Sequence, residues 1–599
     1  MVSTRPSPRI ASLCVPVAVA ALAAACGEQA TEPKAGPAAT MAISEQPHGT
    51  TAGTRFDPPF SIVLRDSAGR IATDSRPTIT VSIASGSGTA SANLRGATTA
   101  VPVDGVARFS SVSIDSSGTG YRLSASAAGL ATVTSAAFDV APGPSSRLAF
   151  AAVPAEAGVE EPLGAPLRLL ILDSLGNLAT TASDPVTLFA VGSGTLTGAT
   201  TQNAVSGVAT FADVAFDRPG RVALGATAPG LTGAVTSPIQ VTIVARTVTA
   251  GDNHTCVLTP RDAAYCWGDD YYGEIGDGID VSSPSRFAVS RGVTRVPGLR
   301  FKSLQAGLGG TCGVTPAGQA YCWGLDQPYS SAGRTITSSP VAVGGASALA
   351  SVSYGSHACG LSASGAAACW GNNAQGQLGS GSTDLGGPTP VTVSGGLTFV
   401  SIRAANSSSC GVTSGRDAFC WGYNPWGNLG LGYFSFYGPR VPTKVVGGLA
   451  WQTVDASGKT TCGVTTGGDA YCWGANDFGQ LGTGVTDTSS VAAPLRVTGS
   501  LTFAAITLGG HHVCGLTTGG TAYCWGANTY GALGNGTTVA STVPVATAGN
   551  LTFTAISAGG AHACGVATGG AVYCWGHNSN GQLGFTGVSA TAPVRVPGF

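Results

Sequence analysis

Cys462-Gly463-Val464-Thr465-Thr466-Gly467-Gly468-Asp469-Ala470-Tyr471-Cys472-Trp473-Gly474 is the stretch from which the rest of the chain can be read. It alternates apolar and polar residues on both sides of a Gly-Gly pair, which is the pattern of a tight β-hairpin. Asn476, Gly479-Gln480-Leu481-Gly482, a Pro-containing strand (Pro494-Leu495-Arg496-Val497) and an apolar strand (Leu501 to Ile506) follow. The Cys-Trp-Gly triplet recurs at Cys266, Cys322, Cys369, Cys420, Cys472, Cys524 and Cys574, giving seven units with a period near 50. One such unit cannot bury both of its faces, so the units must stack, and closing the stack into a ring protects its ends.

In a hairpin turning near Gly467, Cys462 faces Cys472, and directly opposed strand residues are within disulfide reach. The same ten-residue spacing recurs at Cys256/Cys266, Cys312/Cys322, Cys359/Cys369, Cys410/Cys420, Cys514/Cys524 and Cys564/Cys574. Seven cross-strand disulfides are therefore expected. Zinc is disfavoured because no Cys-x-x-Cys knuckle occurs.

These units resemble the regulator of chromosome condensation repeat, whose family folds as a seven-bladed β-propeller. The resemblance covers residues 247–599. Unit 2 departs from it, with Leu325-Asp326-Gln327-Pro328 after Trp323-Gly324 and no Gly-Gln-Leu-Gly element. Unit 1 has Gly273-Glu274-Ile275-Gly276 there and a longer connection before Pro297. The chain stops at Pro597-Gly598-Phe599, so Arg246 to Gly251 is expected to supply the last blade's missing strand.

Upstream, residues 51–142 and 143–246 repeat each other: Ile62-Val63-Leu64-Arg65-Asp66 matches Leu169-Leu170-Ile171-Leu172-Asp173, and Gly105 to Phe109 matches Gly207 to Phe211. Short alternating strands with regular turns predict two β-sandwiches. They resemble bacterial immunoglobulin-like modules, which implies stalk or binding domains. Residues 27–50 read as a flexible linker by composition. Residues 1–26 read as a signal peptide: Arg5 and Arg9, an apolar run from Ile10 to Ala25, then Cys26. Leu22 to Gly27 resembles a bacterial lipoprotein box, which implies lipidation of Cys26. The whole is thus an all-β chain, with two sandwiches followed by a seven-bladed propeller with one disulfide per blade.

Composition narrows function. The 599 residues include 89 glycines, and only 10% are charged, with 29 Lys and Arg against 30 Asp and Glu. Such a chain lacks the basic footprint of nucleic-acid binding. Disulfides and a signal place it outside the cytoplasm, either secreted or lipid-anchored at a surface or in the periplasm.

Candidate residues fall into three groups. The position before the Gly-Gln-Leu-Gly element holds Tyr272, Gln375, Trp426, Phe478, Tyr530 and Asn580, and unit 4 adds Tyr423, Tyr433, Phe434, Phe436 and Tyr437. An exposed aromatic patch would serve as an interface centre, and packing of each loop on the next blade is the competing reading. His254, His357, His512 and His562 stand two places before the first cysteine. His254, His512 and His562 are the weak metal candidates, against a structural role between strands. His511 and His577 read as exposed loop residues. Asp269, Asp270, Glu274, Asp277 and Asp280 read as a solvated loop, with weak calcium or a basic partner as alternatives.

No nucleophile elbow, zinc-protease motif or phosphate loop occurs, so a non-enzyme without cofactor is expected. The expected function is an exported monomer that binds an extracellular protein or glycan, touching membrane only through its anchor. The repeat resemblance implies guanine-nucleotide exchange as one alternative. A hydrolase or lyase with an axial site is the other.

Overall fold

A computed structural model describes residues 34–279, 281, 290–325, 336–382, 384–485 and 489–599. Residues 1–26, with Cys26, and Asp280 lie outside the described residues. The described elements are all β, and none is a helix able to cross a membrane. The chain divides into two compact units. One runs up to Ser145 and includes Leu172–Thr180, and the other is Ser146–Ile171 with Thr181–Phe599.

The first unit is a β-sandwich. Thr40–Glu45, Phe60–Arg65 and Val106–Phe109 form one sheet, and Leu130–Thr134, Leu123–Ala127, Ile79–Ile83 and Thr99–Ala100 form another. Phe60, Ile62, Leu64, Ile79, Val81, Phe109 and Leu123 alternate inward to make the core. The flexible linker expected over 27–50 is corrected from Thr40 onward. Thr40 pairs with Arg65 and Ala42 with Val63, and Met41 is buried in the core. The Ala- and Pro-rich composition concealed a strand whose apolar alternation is only two residues long.

The second unit opens with another set of sandwich strands. Leu167–Leu172 pairs with Val208–Phe211, and Pro185–Val191 with Gly220–Thr227. Glu160 and Glu161 from these strands' connections receive Arg295 (2.7 Å), Arg300 (3.1 Å) and Arg261 (3.5 Å) of the ring that follows. Ile243 N also donates to Gly598 O (2.6 Å).

Seven four-stranded antiparallel sheets then succeed one another among the described residues. Blade 5 is typical: Trp451–Ser457, Thr460–Thr465, Ala470–Gly474 and Val491–Arg496. Each cysteine pair is directly opposed in register and bonded, with Cα atoms 4.0–4.1 Å apart.

The expected closure by strand exchange is overturned. Thr247–Ala250 pairs with His254–Leu258 and opens blade 1, while blade 7 is completed by its own Ala590–Arg595. The apolar strand that seemed to end each unit instead begins the next blade. Blades therefore start one strand earlier than the cysteine motif suggests, and the chain holds four consecutive strands for each.

Candidate interaction surface

The seams between blades position everything else, and one element builds them. The Gly-Gln-Leu-Gly segment follows the third strand and lies against the tryptophan of the next blade. The carbonyl of its second residue accepts the indole N–H: Glu274 from Trp323 (2.8 Å), Gln377 from Trp421 (2.9 Å), Asn428 from Trp473 (3.0 Å), Gln480 from Trp525 (2.9 Å) and Ala532 from Trp575 (3.0 Å). Gln582 accepts from Trp267 (2.9 Å), so blades 7 and 1 meet as these other five pairs do. Leucine or isoleucine follows and is fully buried. An asparagine five residues earlier clamps its amide, as Asn476 Oδ1 does for Leu481 N (3.0 Å). The final glycine has positive φ and faces the indole; a methyl at Gly482 would lie 2.8 Å from Trp525 Nε1.

The four repeat histidines are fully buried in these seams. His254 meets Thr311 of blade 2 (2.9 Å), His357 meets Ser409 of blade 4 (2.6 Å), and His562 meets Thr255 of blade 1 (2.9 Å). In blade 7 the corresponding residue is Ala563, which has no hydroxyl, and His512 Nε2 is left without a partner. Burial pulls His254 and His512 down to about 4, and His357 and His562 to about 3. His254, His512 and His562 thus face three different seams, and no metal-holding group of three His, Cys, Asp or Glu occurs among the described residues.

The acidic residues of blade 1 also serve the framework. Asp270 Oδ1 accepts from Ile275 N (3.2 Å), Glu274 Oε2 from Tyr272 N (2.8 Å), and Asp269 Oδ2 from Asn580 Nδ2 (3.0 Å). Glu274 occupies a glutamine position, and burial pushes its carboxyl up to about 8. Asp277 caps the amide of Ile279 (2.9 Å).

The aromatic candidates come from the loops between third and fourth strands, so they share one face of the ring. In blade 4, Tyr423 packs edge-on against both Trp426 and Phe436 (5.5 Å each), and Phe436 against Tyr437 (5.2 Å). Phe434 lies over Gly427. Lys459 of blade 5 sits 5.1 Å above the Trp426 ring. Phe478 then packs on His511 of blade 6 (4.8 Å), and Tyr530 on His577 of blade 7 (4.3 Å). His511 is held below its ordinary value by burial and by Lys459, which links the blade 4 group to Phe478.

Packing between blades and exposure thus coexist in this group. These side chains brace adjacent blades, yet Phe434, Phe436 and Tyr437 remain 54, 61 and 73% exposed, and Phe478 and Tyr530 are nearly half exposed. Tyr272 stands apart, edge-on to Tyr271 (4.7 Å). His511 is exposed as expected, with the Phe478 ring against it, whereas His577 is half-buried beside Tyr530. A shallow groove of about 400 Å³ runs beside Tyr530 and His577, past Thr538, Val588 and Thr591.

The axial end is different in character. It is lined by Gly251, Gly307, Gly355, Gly509 and Gly559, around a space of only about 100 Å³. Arg403 there pairs with Asp455 (2.5 Å) and donates to Gln305 (2.9 Å), so that charge is internally neutralised. Burial, then Asp269, pushes the nearby Asp252 carboxyl up.

Comparison with known protein families finds the same repeat. Residues 245–274, 451–480, 503–532 and 553–582 match the regulator of chromosome condensation (RCC1) repeat, as do 467–516 and 519–566. The chain is 27% identical over 311 residues to the ultraviolet-B receptor UVR8 of Arabidopsis thaliana, covering 50% of this chain and 69% of that one. It is 27% identical over 281 residues to the human E3 ubiquitin-protein ligase HERC2, covering 45% of this chain but only 6% of the ligase. Prp20p of Saccharomyces cerevisiae, whose structure was described with its binding to Gsp1p and histones, superimposes with a TM-score of 0.45 at 19% identity, over 52% of this chain and 80% of that one.

Proposed function

From the premise that this ring is a propeller of regulator of chromosome condensation repeats, we propose that it is an extracellular interaction module. Its contact surface is the aromatic face of blades 4 to 7, and its partner is a protein. The observation that carries this reading is the band Tyr437, Phe436, Tyr423, Trp426, Phe478 and Tyr530. Tyr437, Phe436, Phe478 and Tyr530 are exposed, Tyr423 and Trp426 are half-buried beneath them, and the band is nearly uncharged and braced by ring contacts. Rigid aromatic anchors bind at low entropic cost, and they dominate interface energetics.

The seven disulfides support a place outside the cytoplasm, where such bonds persist. The same bonds weigh against nucleotide exchange on a cytosolic GTPase. An axial hydrolase lacks a motive in the geometry, because Arg403 is neutralised by Asp455 and the axial space is small. The sandwich unit upstream then acts as a spacer from a lipid anchor at Cys26.

The test compares full-length chain with a Trp426→Ala/Phe436→Ala/Phe478→Ala variant, each immobilised and exposed to proteins of the native extracellular milieu. A protein retained by the first and lost at least tenfold by the second supports the assignment. Equal retention by both refutes it, and loss of retention to free oligosaccharide moves the assignment to a glycan.

A further inference from the structure

At blades 6 and 7 the aromatic band ends in the groove of about 400 Å³ beside Tyr530. Its walls are the segments that leave the third strands of the two blades, Ala522–Gly526 and Val572–Gly576, and run to the fourth. All of its lining residues belong to the described part of the chain, and none is an acid, a lysine or an arginine. Its polar side chains are five hydroxyls (Thr529, Thr538, Ser579, Ser589 and Thr591), the Tyr530 phenol and His577. Ser579 Oγ donates to Asn580 Oδ1 (3.1 Å). The other four hydroxyls and the phenol have no partner among the described residues.

The state of His577 is fixed by its neighbours. Gln582 Oε1 accepts from Asn580 N (2.9 Å), so Nε2 is the end of that amide that meets His577 Nδ1 (3.1 Å). Nδ1 is therefore the acceptor, and Nε2 carries the proton of the neutral ring. Burial holds the imidazole below its ordinary value, which keeps it neutral at pH 7. Its Nε2–H has no partner among the described residues. Tyr530 rests against this ring, with centroids 4.3 Å apart, and is 47% exposed. The groove thus holds a braced aromatic face, one directed N–H donor and four free hydroxyls.

That inventory selects a ligand class. With no charged side chain in its lining, the groove offers an ionic ligand no compensation for the water it gives up. Serine and threonine hydroxyls both donate and accept, as every hydroxyl of a sugar does. Tyr530 supplies an apolar face for the C–H side of a pyranose, with a polar tip beside it. The volume falls within the roughly 300–1,000 Å³ of small-molecule sites. We infer that the groove between blades 6 and 7 binds a neutral sugar, one pyranose of which stacks on Tyr530 while its hydroxyls meet His577 Nε2–H, Thr529, Thr538, Ser589 and Thr591. The site shares Tyr530 with the aromatic band but uses none of Trp426, Phe436 and Phe478, so it stands or falls separately from the protein contact.

The probes are the methyl glycosides of glucose, galactose, mannose and N-acetylglucosamine. Each is titrated into the intact, histidine-labelled chain, and the ring C–H resonances of its seven histidines are followed, with His577 assigned through His577→Gln. The expected result is a saturable shift of the His577 resonance by at least one glycoside at millimolar concentration, with the four seam histidines unmoved. Thr538→Val/Thr591→Val keeps the side-chain shapes and removes two hydroxyls. It should weaken that glycoside at least tenfold, while the seam histidine resonances report an intact fold. The Trp426→Ala/Phe436→Ala/Phe478→Ala variant should bind the glycoside as the parent chain does. No shift of His577 by any of the four at tens of millimolar overturns the inference. So does undiminished binding by Thr538→Val/Thr591→Val, because the hydroxyls would then read nothing. An equal shift with glycerol overturns it as well, since the groove would not distinguish a sugar from any polyol.

Discussion

A single glycine shows how tightly residue identity follows from packing here. The residue after the first cysteine is glycine in blades 2 to 7, and a methyl there would lie 2.5 Å from Phe503 at Gly515 and 2.5 Å from Phe553 at Gly565. Blade 1 has Val257 at this position and no aromatic residue at the start of its first strand, Thr247–Ala250. Gly515→Ala should therefore destabilise the chain by about 1–3 kcal/mol through overpacking. Chemical denaturation measures it, and the paired change Phe503→Leu should recover part of the loss. Glu274 gives a second residue-scale prediction. Its folded carboxyl titrates at about 8 against 4.5 unfolded, so the folded state binds its proton more tightly. Its contribution is fullest below pH 4.5 and is lost as pH rises to 8. Glu274→Gln should raise the denaturation midpoint at pH 8 and leave it unchanged at pH 4.

At the scale of the element, the latch is the organising piece. Leu481 is buried between two blades, so Leu481→Ala should cost about 2–5 kcal/mol. Trp525 emission should shift to the red in that variant, because its indole would be wetted. How much of this was legible in the sequence depends on whether the element is local. The hairpin between opposed cysteines was fully legible, since ten residues enclose all of its determinants. The latch was visible as a repeated motif, but its role was not, because its partner indole lies about 45 residues downstream (Gln480 to Trp525). A repeat has no natural beginning, so the motif alone could not show that blades start at the apolar strand; only pairing does. The strand Thr40–Glu45 was missed for a related reason, since its partner Phe60–Arg65 lies across an intervening loop.

At the scale of the whole molecule, the four buried histidines set an acid limit. Their folded values of about 3 to 4 lie below the unfolded value of 6.5, so the unfolded chain takes up more protons between those limits. Stability should be level above about pH 6.5 and fall progressively as pH drops toward 4. Replacing His512, the histidine without a hydroxyl partner, by leucine should remove about one proton from that dependence. The disulfides act over the same ring. Each closes a short loop worth roughly 2–3 kcal/mol, so reduction should lower the thermal midpoint sharply and chloride or other salts should have little influence. The candidate surface was legible in the sequence as residue types but not as an area. Tyr272 shares the motif position and lies apart from the band, while His511 and Lys459 belong to it and carry no sequence signal of aromaticity. The central claim is that one face of the ring binds. It is tested most directly by placing a photo-crosslinking residue at Tyr437 or Phe478, and for comparison at Thr466 or Thr518 in the hairpin turns of the opposite face. The account predicts a shared protein adduct from the first pair and none from the second. Adducts of equal yield from both pairs, or from the hairpin turns alone, would contradict it.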